Sequence, residues 1–135
     1  MKIAMALCAI TLWATIVPAA TPEEPAEAAA LAWLGLVDVG NYAQSWSSAS
    51  SLFRQKVSES QWQSAAASVR APFGTLKSRT LRSATARSAL PGAPDGQYVV
   101  IQFVSSFEHK ANAIETVTPM MDTDGKWRVA GYYIK

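Results

Sequence analysis

The sequence is poor in the side chains that many hydrolytic and redox sites require, with one cysteine and one histidine in 135 residues. Cys8 lies inside an apolar segment near the N-terminus, so the rest of the chain has no thiol for a disulfide or for catalysis. His109 lies in the short connection EHK, where we expect a solvated turn, and no triad-like set of nucleophile and orienting acid is recognisable near it. These absences argue against a thiol or Ser–His–Asp enzyme and leave packing to stabilise the fold.

The chain also lacks an apolar run long enough to cross a bilayer. Its longest run extends from Ile3 to Val17, which is shorter than the roughly 20 residues of a transmembrane helix. Lys2 precedes the run and small residues follow it, a pattern typical of a secretory signal cleaved after Ala19 or Ala20. We therefore expect residues 1–20 to be a signal peptide, with a retained membrane anchor as the alternative. Export without disulfides favours a periplasmic location.

Acidic residues are absent between Glu59 and Asp95, although the net charge of the whole chain is only +2. So small a net charge predicts no general attraction to nucleic acid or to a membrane surface. The acid-free segment contains five cations, which are Arg70, Lys77, Arg79, Arg82 and Arg87. On an edge strand such charges discourage edge-to-edge pairing. They also fit an anionic envelope component or an acidic protein surface, and both interpretations stay open.

Periodicity predicts a single domain at residues 26–135, preceded by a short spacer at residues 21–25. Apolar residues at helical spacing and a capping box at Ser58 and Gln61 predict three helices, at about 26–42, 45–57 and 58–71. Pro72 and Gly74 end the third helix. Beyond Gly74 the period changes to two, which predicts four strands, at 75–87, 97–107, 111–121 and 126–135. Helices followed by an antiparallel meander indicate an α+β domain with the helices on one face.

Several segments together resemble the DUF4019 family, small exported bacterial proteins of unknown function. They span about Ala26 to Lys135, and the last is the most specific: AWLGLVDVGNYAQSW, FRQKVSESQW, VRAPFG, SRTLRSA, LPGAPDGQYVVIQF and ETVTPMMDTDGKWRVAGYYIK. The resemblance implies a bacterial cell-envelope protein and brings no characterised activity. The order of elements is also similar to the curved α+β rolls of NTF2-like and cystatin-like proteins, a fold-level analogy that implies no function.

Two carboxylates, Asp122 and Asp124, occur in the motif DTDG, which is similar to the opening of a calcium loop. A calcium loop needs a further acidic residue downstream, and none follows Asp124. We therefore interpret the motif as a hairpin turn in which Asp-Gly supplies the tight bend. The sequence predicts no metal site and no cofactor.

The roll-like analogy directs attention to a pocket between the helices and the sheet. Asp38 and Tyr42 lie one helical turn apart on the stripe that contains Leu31 and Leu34, so they are the candidate acid and base of a small-pocket enzyme. The structural alternative, which we favour, is that Asp38 pairs with Arg70 or Arg128 or caps a backbone amide. Glu115, in the middle of a predicted strand, is expected on the solvated face of the sheet.

The final strand is predicted to be structural, with Trp127, Val129 and Tyr133 against the helices and with Arg128 and Tyr132 facing outward or toward a neighbour. A homodimer through the sheet is plausible, because apolar positions occur on both faces. Taken together, these patterns predict a non-catalytic periplasmic binding protein, with the Asp38 and Tyr42 enzyme as the alternative. Its predicted ligand or partner surface consists of Arg70, Lys77, Arg79, Arg82, Arg128 and Tyr132.

Overall fold

The structure is a computed structural model and describes residues 14–16 and 21–135. Apart from residues 14–16, the predicted signal peptide lies outside the described residues. Within the described part, four α-helices precede four strands. The helices are α1 (Glu23–Asp38), α2 (Tyr42–Ser48), α3 (Ser51–Lys56) and α4 (Glu59–Arg70), and the strands are β1 (Leu76–Arg87), β2 (Tyr98–Phe107), β3 (Lys110–Met121) and β4 (Trp127–Ile134). None of the described helices is long and apolar enough to cross a membrane.

Helix α1 begins and ends earlier than the sequence predicted. It starts at Glu23, inside the predicted spacer, where two glutamates interact favourably with the positive end of the helix dipole. It ends at Asp38 because Gly40 adopts a positive φ of 77°. Tyr42 therefore begins α2, and the prediction that Asp38 and Tyr42 share one helix is wrong. Leu31 is 42% exposed, and the buried face of α1 consists of Ala26, Ala30, Trp33, Leu34 and Val37.

The second predicted helix is two short helices, so the expected count of three helices is wrong. Ala49 and Ser50 are extended, and Ser50 caps α3 by accepting a hydrogen bond from the Phe53 N–H at 3.1 Å. The Ser50 N–H in turn donates to the carbonyl of Val129 in β4 at 2.9 Å. The break between α2 and α3 thus joins the helical layer to the sheet.

The capping box predicted at the start of α4 is confirmed, because Ser58 and Gln61 bond each other's backbone N–H groups. A 3₁₀ turn, Ala71–Phe73, follows α4 and leads to Gly74, which has a positive φ of 74°. A Cβ atom at Gly74 would lie 2.9 Å from the side chain of His109. Gly74 therefore permits both the turn and the close approach of the β2–β3 hairpin.

The strands form one antiparallel sheet in the order β1-β2-β3-β4, and each predicted strand begins and ends within one residue of an observed one. The α+β prediction is confirmed. Helices α1 and α4 and the shorter helices lie on one face, which we call the inner face, and its residues form the core with the helices. The opposite face, which we call the outer face, is covered by none of the helices in residues 21–135.

The prediction for the side chains of β4 is half right. Trp127 and Val129 pack toward the core as expected, but Tyr132 also contacts the core and Tyr133 is 61% exposed. The cause is a register shift, since Thr118 pairs with Gly131 whereas Pro119 pairs with Val129. The extra residue in β4 reverses which side chains face inward beyond it.

Candidate functional site

Six polar side chains form a buried ion cluster between the helices and the inner face of the sheet. They come from the end of α1, the end of α4 and all four strands: Asp38, Arg70, Arg79, Ser105, Glu115 and Tyr132. The exposed fractions of its ionised side chains are 13% for Asp38, 9% for Arg79, 5% for Arg70 and 0% for Glu115. Two cations and two carboxylates balance, as buried charges require.

Arg79 connects the two carboxylates. Its terminal nitrogens donate to both oxygens of Asp38 at 2.8 and 2.9 Å, a bidentate pair. Its Nε donates to Oε1 of Glu115 at 2.8 Å. One guanidinium thus bonds a carboxylate on α1 and a carboxylate on β3 at the same time, which fixes the helix against the sheet.

Glu115 is fully buried, so the prediction of a solvated position is wrong. Its strand neighbours Ala113 and Val117 point to the same inner face and are also fully buried. Oε1 of Glu115 accepts from the Ser105 hydroxyl and Oε2 accepts from the Tyr132 hydroxyl, both at 2.5 Å. These two hydroxyls and Arg79 satisfy the carboxylate without water.

Arg70 completes the cluster from the last turn of α4. Its Nη2 donates to Oδ1 of Asp38 at 2.9 Å, and its guanidinium carbon lies 4.7 Å from the centre of the Phe107 ring. The predicted pairing of Asp38 with Arg70 is confirmed. The Nε and Nη1 atoms of Arg70 have no hydrogen-bond partner among the described residues, and contact with the aromatic face offsets part of that loss.

The cluster shifts two ionisation equilibria. Burial acts to raise the pKa of Asp38, but hydrogen bonds and charge from Arg79 and Arg70 outweigh it and hold that pKa below its ordinary value. Burial, followed by the negative charge of Glu115, raises the pKa of Tyr132 well above its ordinary value. Both shifts favour the species seen in the structure, an ionised Asp38 and a neutral Tyr132.

This arrangement supplies no accessible acid or base. Each oxygen of Asp38 accepts from an arginine, so the carboxylate is neither free nor basic. Tyr42 does not join it; that side chain packs against the apolar core, and its carbonyl accepts from the Ser45 hydroxyl at 2.7 Å. The structure therefore does not bring together the two residues of the enzyme hypothesis.

An apolar groove lies beside the cluster, between α4 and the last residues of β4. Its volume is about 200 Å³ and its lining consists of Trp62, Ala65, Ala66, Val69, Tyr132, Tyr133 and Ile134. We call it the edge groove. Tyr132 belongs to both sites, because its ring lines the groove while its hydroxyl bonds the buried Glu115.

Among the described residues, the outward backbone groups of β4 have no strand partner along this groove. Ile114 and Lys135 exchange both of their backbone hydrogen bonds, at 2.9 and 3.1 Å. Bonded and non-bonded pairs alternate in an antiparallel ladder, so the pairs Glu115–Ile134 and Val117–Tyr132 are non-bonded. The N–H and C=O groups of Tyr132 and Ile134 therefore point away from β3, and β4 is an edge strand.

The predicted basic surface is divided by the structure. Arg70 and Arg79 are buried in the ion cluster, whereas Lys77, Arg82 and Arg87 are exposed along β1. Arg128 is partly exposed and donates to Asp124 at 2.6 Å and to Asp122 at 3.5 Å. Two of the five cations of the predicted surface, Arg70 and Arg79, are therefore buried and unavailable to an anionic partner, and Lys77, Arg82 and Arg128 stay at least partly exposed.

The DTDG motif forms the predicted hairpin turn, with Gly125 at a positive φ of 79°. Both carboxylates are occupied by protein groups: Asp122 accepts from the N–H and the hydroxyl of Ser51, and Asp124 accepts from Arg128. The hydrogen bonds to Asp122, of which the one from the Ser51 hydroxyl has the largest effect, lower the pKa of Asp122. Within the described ranges, no group of three or more potential ligands could hold a metal ion.

The fold and the site define a class, a small α+β protein whose one sheet is covered by helices on a single face and whose buried polar groups bond one another. The model of the family DUF4019, described as a protein of unknown function, matches residues 29–132. The chain belongs to that family. Comparisons with curated proteins and with solved structures find no match, so the likeness to NTF2-like and cystatin-like rolls stays a prediction.

Sequence reasoning missed the edge groove and half of the ion cluster. Glu115 shares its alternation with Ala113 and Val117, which could have indicated an inner position, but the opposite alternation is equally apolar. Nothing in the sequence indicated Ser105. Trp62 and Val69 were expected as helix residues, and only the packing of α4 against β4 makes them part of a groove.

Proposed function

We propose that this protein is an exported, non-catalytic binding protein that takes up an extended polypeptide segment along the edge of β4. The observation that carries the proposal is the pair of outward-facing backbone positions, Tyr132 and Ile134, beside the apolar edge groove. A strand added to a sheet edge obtains affinity from main-chain hydrogen bonds and specificity from pockets for alternate side chains. This edge offers both.

The chemistry of the edge favours an uncharged, apolar segment. The stretch from Val129 to Ile134 contains no charged residue, and none of the seven residues that line the groove is charged. An edge strand normally avoids added strands by carrying charge, proline or inward-pointing polar groups. The last five residues of β4 carry no charge and no proline, and the register shift at Ala130 lies before Tyr132 and Ile134, so the end of the edge stays open to an added strand.

The Tyr132 side chain, which lines the groove, is fixed in position by its neighbours. Tyr132 is held by its hydroxyl bond to Glu115, and its ring lies 5.4 Å from Trp33 and 6.3 Å from Trp62, measured between ring centres. A pre-organised site spends less free energy on ordering its own side chains when a ligand binds. The ion cluster therefore supports the proposed binding function, because its Glu115 holds the Tyr132 ring in place in the lining of the groove.

Binding is favoured over catalysis because the candidate acids and bases are already bonded to one another. Asp38 and Glu115 are each held by an arginine, and the Tyr132 hydroxyl donates a hydrogen bond to Glu115. The polar groups at the groove are the outward backbone groups of Tyr132 and Ile134 and the hydroxyl of Tyr133, which suit hydrogen bonding to a peptide rather than acid–base catalysis. The apolar N-terminal segment and the lack of disulfide partners support export to a periplasm.

A peptide selection tests the proposal directly. Protein recovered from the periplasm, with its cleavage site read from its intact mass, is used to select from a displayed library of random heptapeptides, and the best peptide is synthesised. Ile134→Pro removes one outward N–H but no ladder bond to β3, and Val69→Asp places a charge in the groove. Each is expected to raise the Kd of that peptide about tenfold or more, measured by fluorescence anisotropy.

Three matched variants serve as controls. Ile134→Val keeps the backbone N–H. Leu81→Lys places a charge on the other edge strand, β1. Val39→Asp places a charge at an exposed valine that does not line the groove. All three are expected to leave the Kd within about twofold. The proposal is overturned if no peptide is enriched, or if Ile134→Pro and Val69→Asp bind the selected peptide as tightly as the unchanged protein does.

A further inference from the structure

The protein itself covers one end of the β4 edge with an extended segment. Ala49 and Ser50 have extended backbone angles, and the Ser50 N–H donates to the carbonyl of Val129 in β4 at 2.9 Å. The start of this edge therefore already receives a main-chain bond from a neighbouring segment, in the manner of an added strand. An incoming polypeptide has to pair beyond Val129.

Two residues of β4 offer the outward backbone groups beyond that point. Tyr132 and Ile134 direct their N–H and C=O groups away from β3, whereas Lys135 bonds Ile114 through both of its own groups. Within residues 21–135, the open stretch thus runs from Tyr132 to Ile134. Whichever direction the added strand takes, this stretch pairs with a core of three ligand residues.

The first and third residues of that core face the edge groove. Residues that pair across two strands place their side chains on the same face of the sheet. The ligand residues opposite Tyr132 and Ile134 therefore share the inner face with them and enter the groove, whose seven lining residues are uncharged. The groove volume of about 200 Å³ is smaller than the about 300–1,000 Å³ of small-molecule pockets. It suits apolar side chains instead.

The middle residue of the core has different surroundings, because it lies on the outer face opposite Tyr133. Tyr133 is 61% exposed, and its cross-strand row continues through Thr116 and Gln102, which are polar and uncharged. A ligand side chain in this row keeps its contact with water. It can therefore be polar or charged without the cost of burial.

We infer that the partner is an amphipathic β segment of another polypeptide, with an apolar, a polar and an apolar residue in succession. The inference rests on the proposed peptide site and adds the chemistry of its partner. Two apolar side chains fill the groove, and the side chain between them faces water beside Tyr133. A helical segment does not fit, since its apolar residues recur every three or four positions and its backbone groups bond one another.

A lysine scan of the peptide obtained by selection tests the pattern. Each residue of the heptapeptide is replaced by lysine in turn, and the Kd for the mature protein is measured by fluorescence anisotropy. Lysine at two positions separated by one residue is expected to raise the Kd about tenfold or more, because an ammonium group would enter an apolar groove. Lysine at the position between them is expected to change the Kd less than about threefold.

The variant Tyr133→Glu tests which side chain of the peptide faces outward. Opposite charges on cross-strand neighbours attract, so this variant is expected to bind the peptide with lysine at the middle position about threefold more tightly than the peptide with glutamate there. The unchanged protein is expected to bind the two peptides within about twofold of each other. Val39→Glu, at an exposed position that does not line the groove, is the matched control and is expected to show no preference.

The inference and the proposed function fail in different ways. Sensitive positions that are consecutive, or three or four residues apart, overturn the amphipathic strand but leave the peptide site in place. A Tyr133→Glu variant without a preference between the two peptides does the same. A selection that enriches no peptide overturns the peptide site, and the inference with it.

Discussion

The two faces of the sheet carry their charged side chains in different surroundings. The inner face, covered by helices, holds Arg79 and the fully buried Glu115. On the outer face, which none of the described helices covers, the rows through Gln102 and Val100 hold no charge, and the row through Ile114 ends at the exposed Lys135. The buried charges of the inner face are therefore tolerated because each has a partner, whereas exposed cations such as Arg82 and Arg87 have water.

The two faces show two ways in which a charged side chain is stabilised, by protein partners and by water. On the inner face, each ionised group is bonded to groups from other elements, so burial is compensated and the elements are fixed in register. On the outer face, exposed cations such as Arg87 and Lys135 keep their water and need no protein partner.

The largest expected effect comes from removing the central cation of the inner face. Arg79→Met leaves Asp38 and Glu115 without their shared partner, and breaking a buried ion pair by removing one side costs about 3–5 kcal/mol. Urea unfolding at one protein concentration measures the loss. Arg82→Met is the matched control, three residues along the same strand but exposed, and it is expected to change the unfolding free energy by less than about 0.5 kcal/mol. Equal losses in the two variants would refute the distinction between the faces.

A smaller effect is expected at the two adjacent tyrosines of β4. Tyr132→Phe removes the hydroxyl that donates to Glu115 and leaves a buried acceptor less satisfied, which costs about 1–3 kcal/mol. Tyr133→Phe alters an exposed side chain on the outer face and is expected to be neutral. Thermal unfolding of both variants gives the comparison. A larger loss for Tyr133→Phe would show that the register shift in β4 is misplaced.

The smallest expected effects are those of pH. Since the pKa of Asp38 is lowered by folding, its contribution is present above its ordinary value of 3.8 and is lost as the pH falls below it. Since the pKa of Tyr132 is raised, its contribution is present below its ordinary value of 10.0 and is lost as the pH rises beyond it. Unfolding free energies measured from pH 2 to 11 should decline at both ends. Tyr132→Phe should flatten the alkaline decline, and an unchanged alkaline decline in that variant would contradict the assignment.

Local patterns predicted the regular elements well. The strands follow from alternation and from turn residues such as Asp124 and Gly125, and the start of α4 follows from the capping box at Ser58. These features depend on residues close in sequence, whose geometry the backbone fixes. The break before α3 was predicted less well, because the extended Ala49–Ser50 step is held by a tertiary bond from Ser50 to Val129; the end of α1 was placed too late although Gly40 ends it through the local bond of its N–H to Val37.

The ion cluster was predicted only in part, through the pairing of Asp38 with Arg70. Arg79 appeared as one cation of an exposed strip and Glu115 as a solvated carboxylate, because alternation on β3 allows either face to be the inner one. Only the packing of α1 against the sheet decides between them. The edge groove is a tertiary feature throughout, since α4 and β4 are separated along the chain by three strands.

The sequence by itself determined that this chain forms helices followed by a meander, that it resembles DUF4019, and that its one cysteine lies among its first residues. The tertiary structure alone decided which charges are buried together and which edge of the sheet is open. The physical reason is the separation along the chain over which each interaction acts. Propensity, capping and alternation act over a few residues, whereas the bonds from Arg79 to Asp38 and Glu115 span 41 and 36 residues and exist only after the layers have packed.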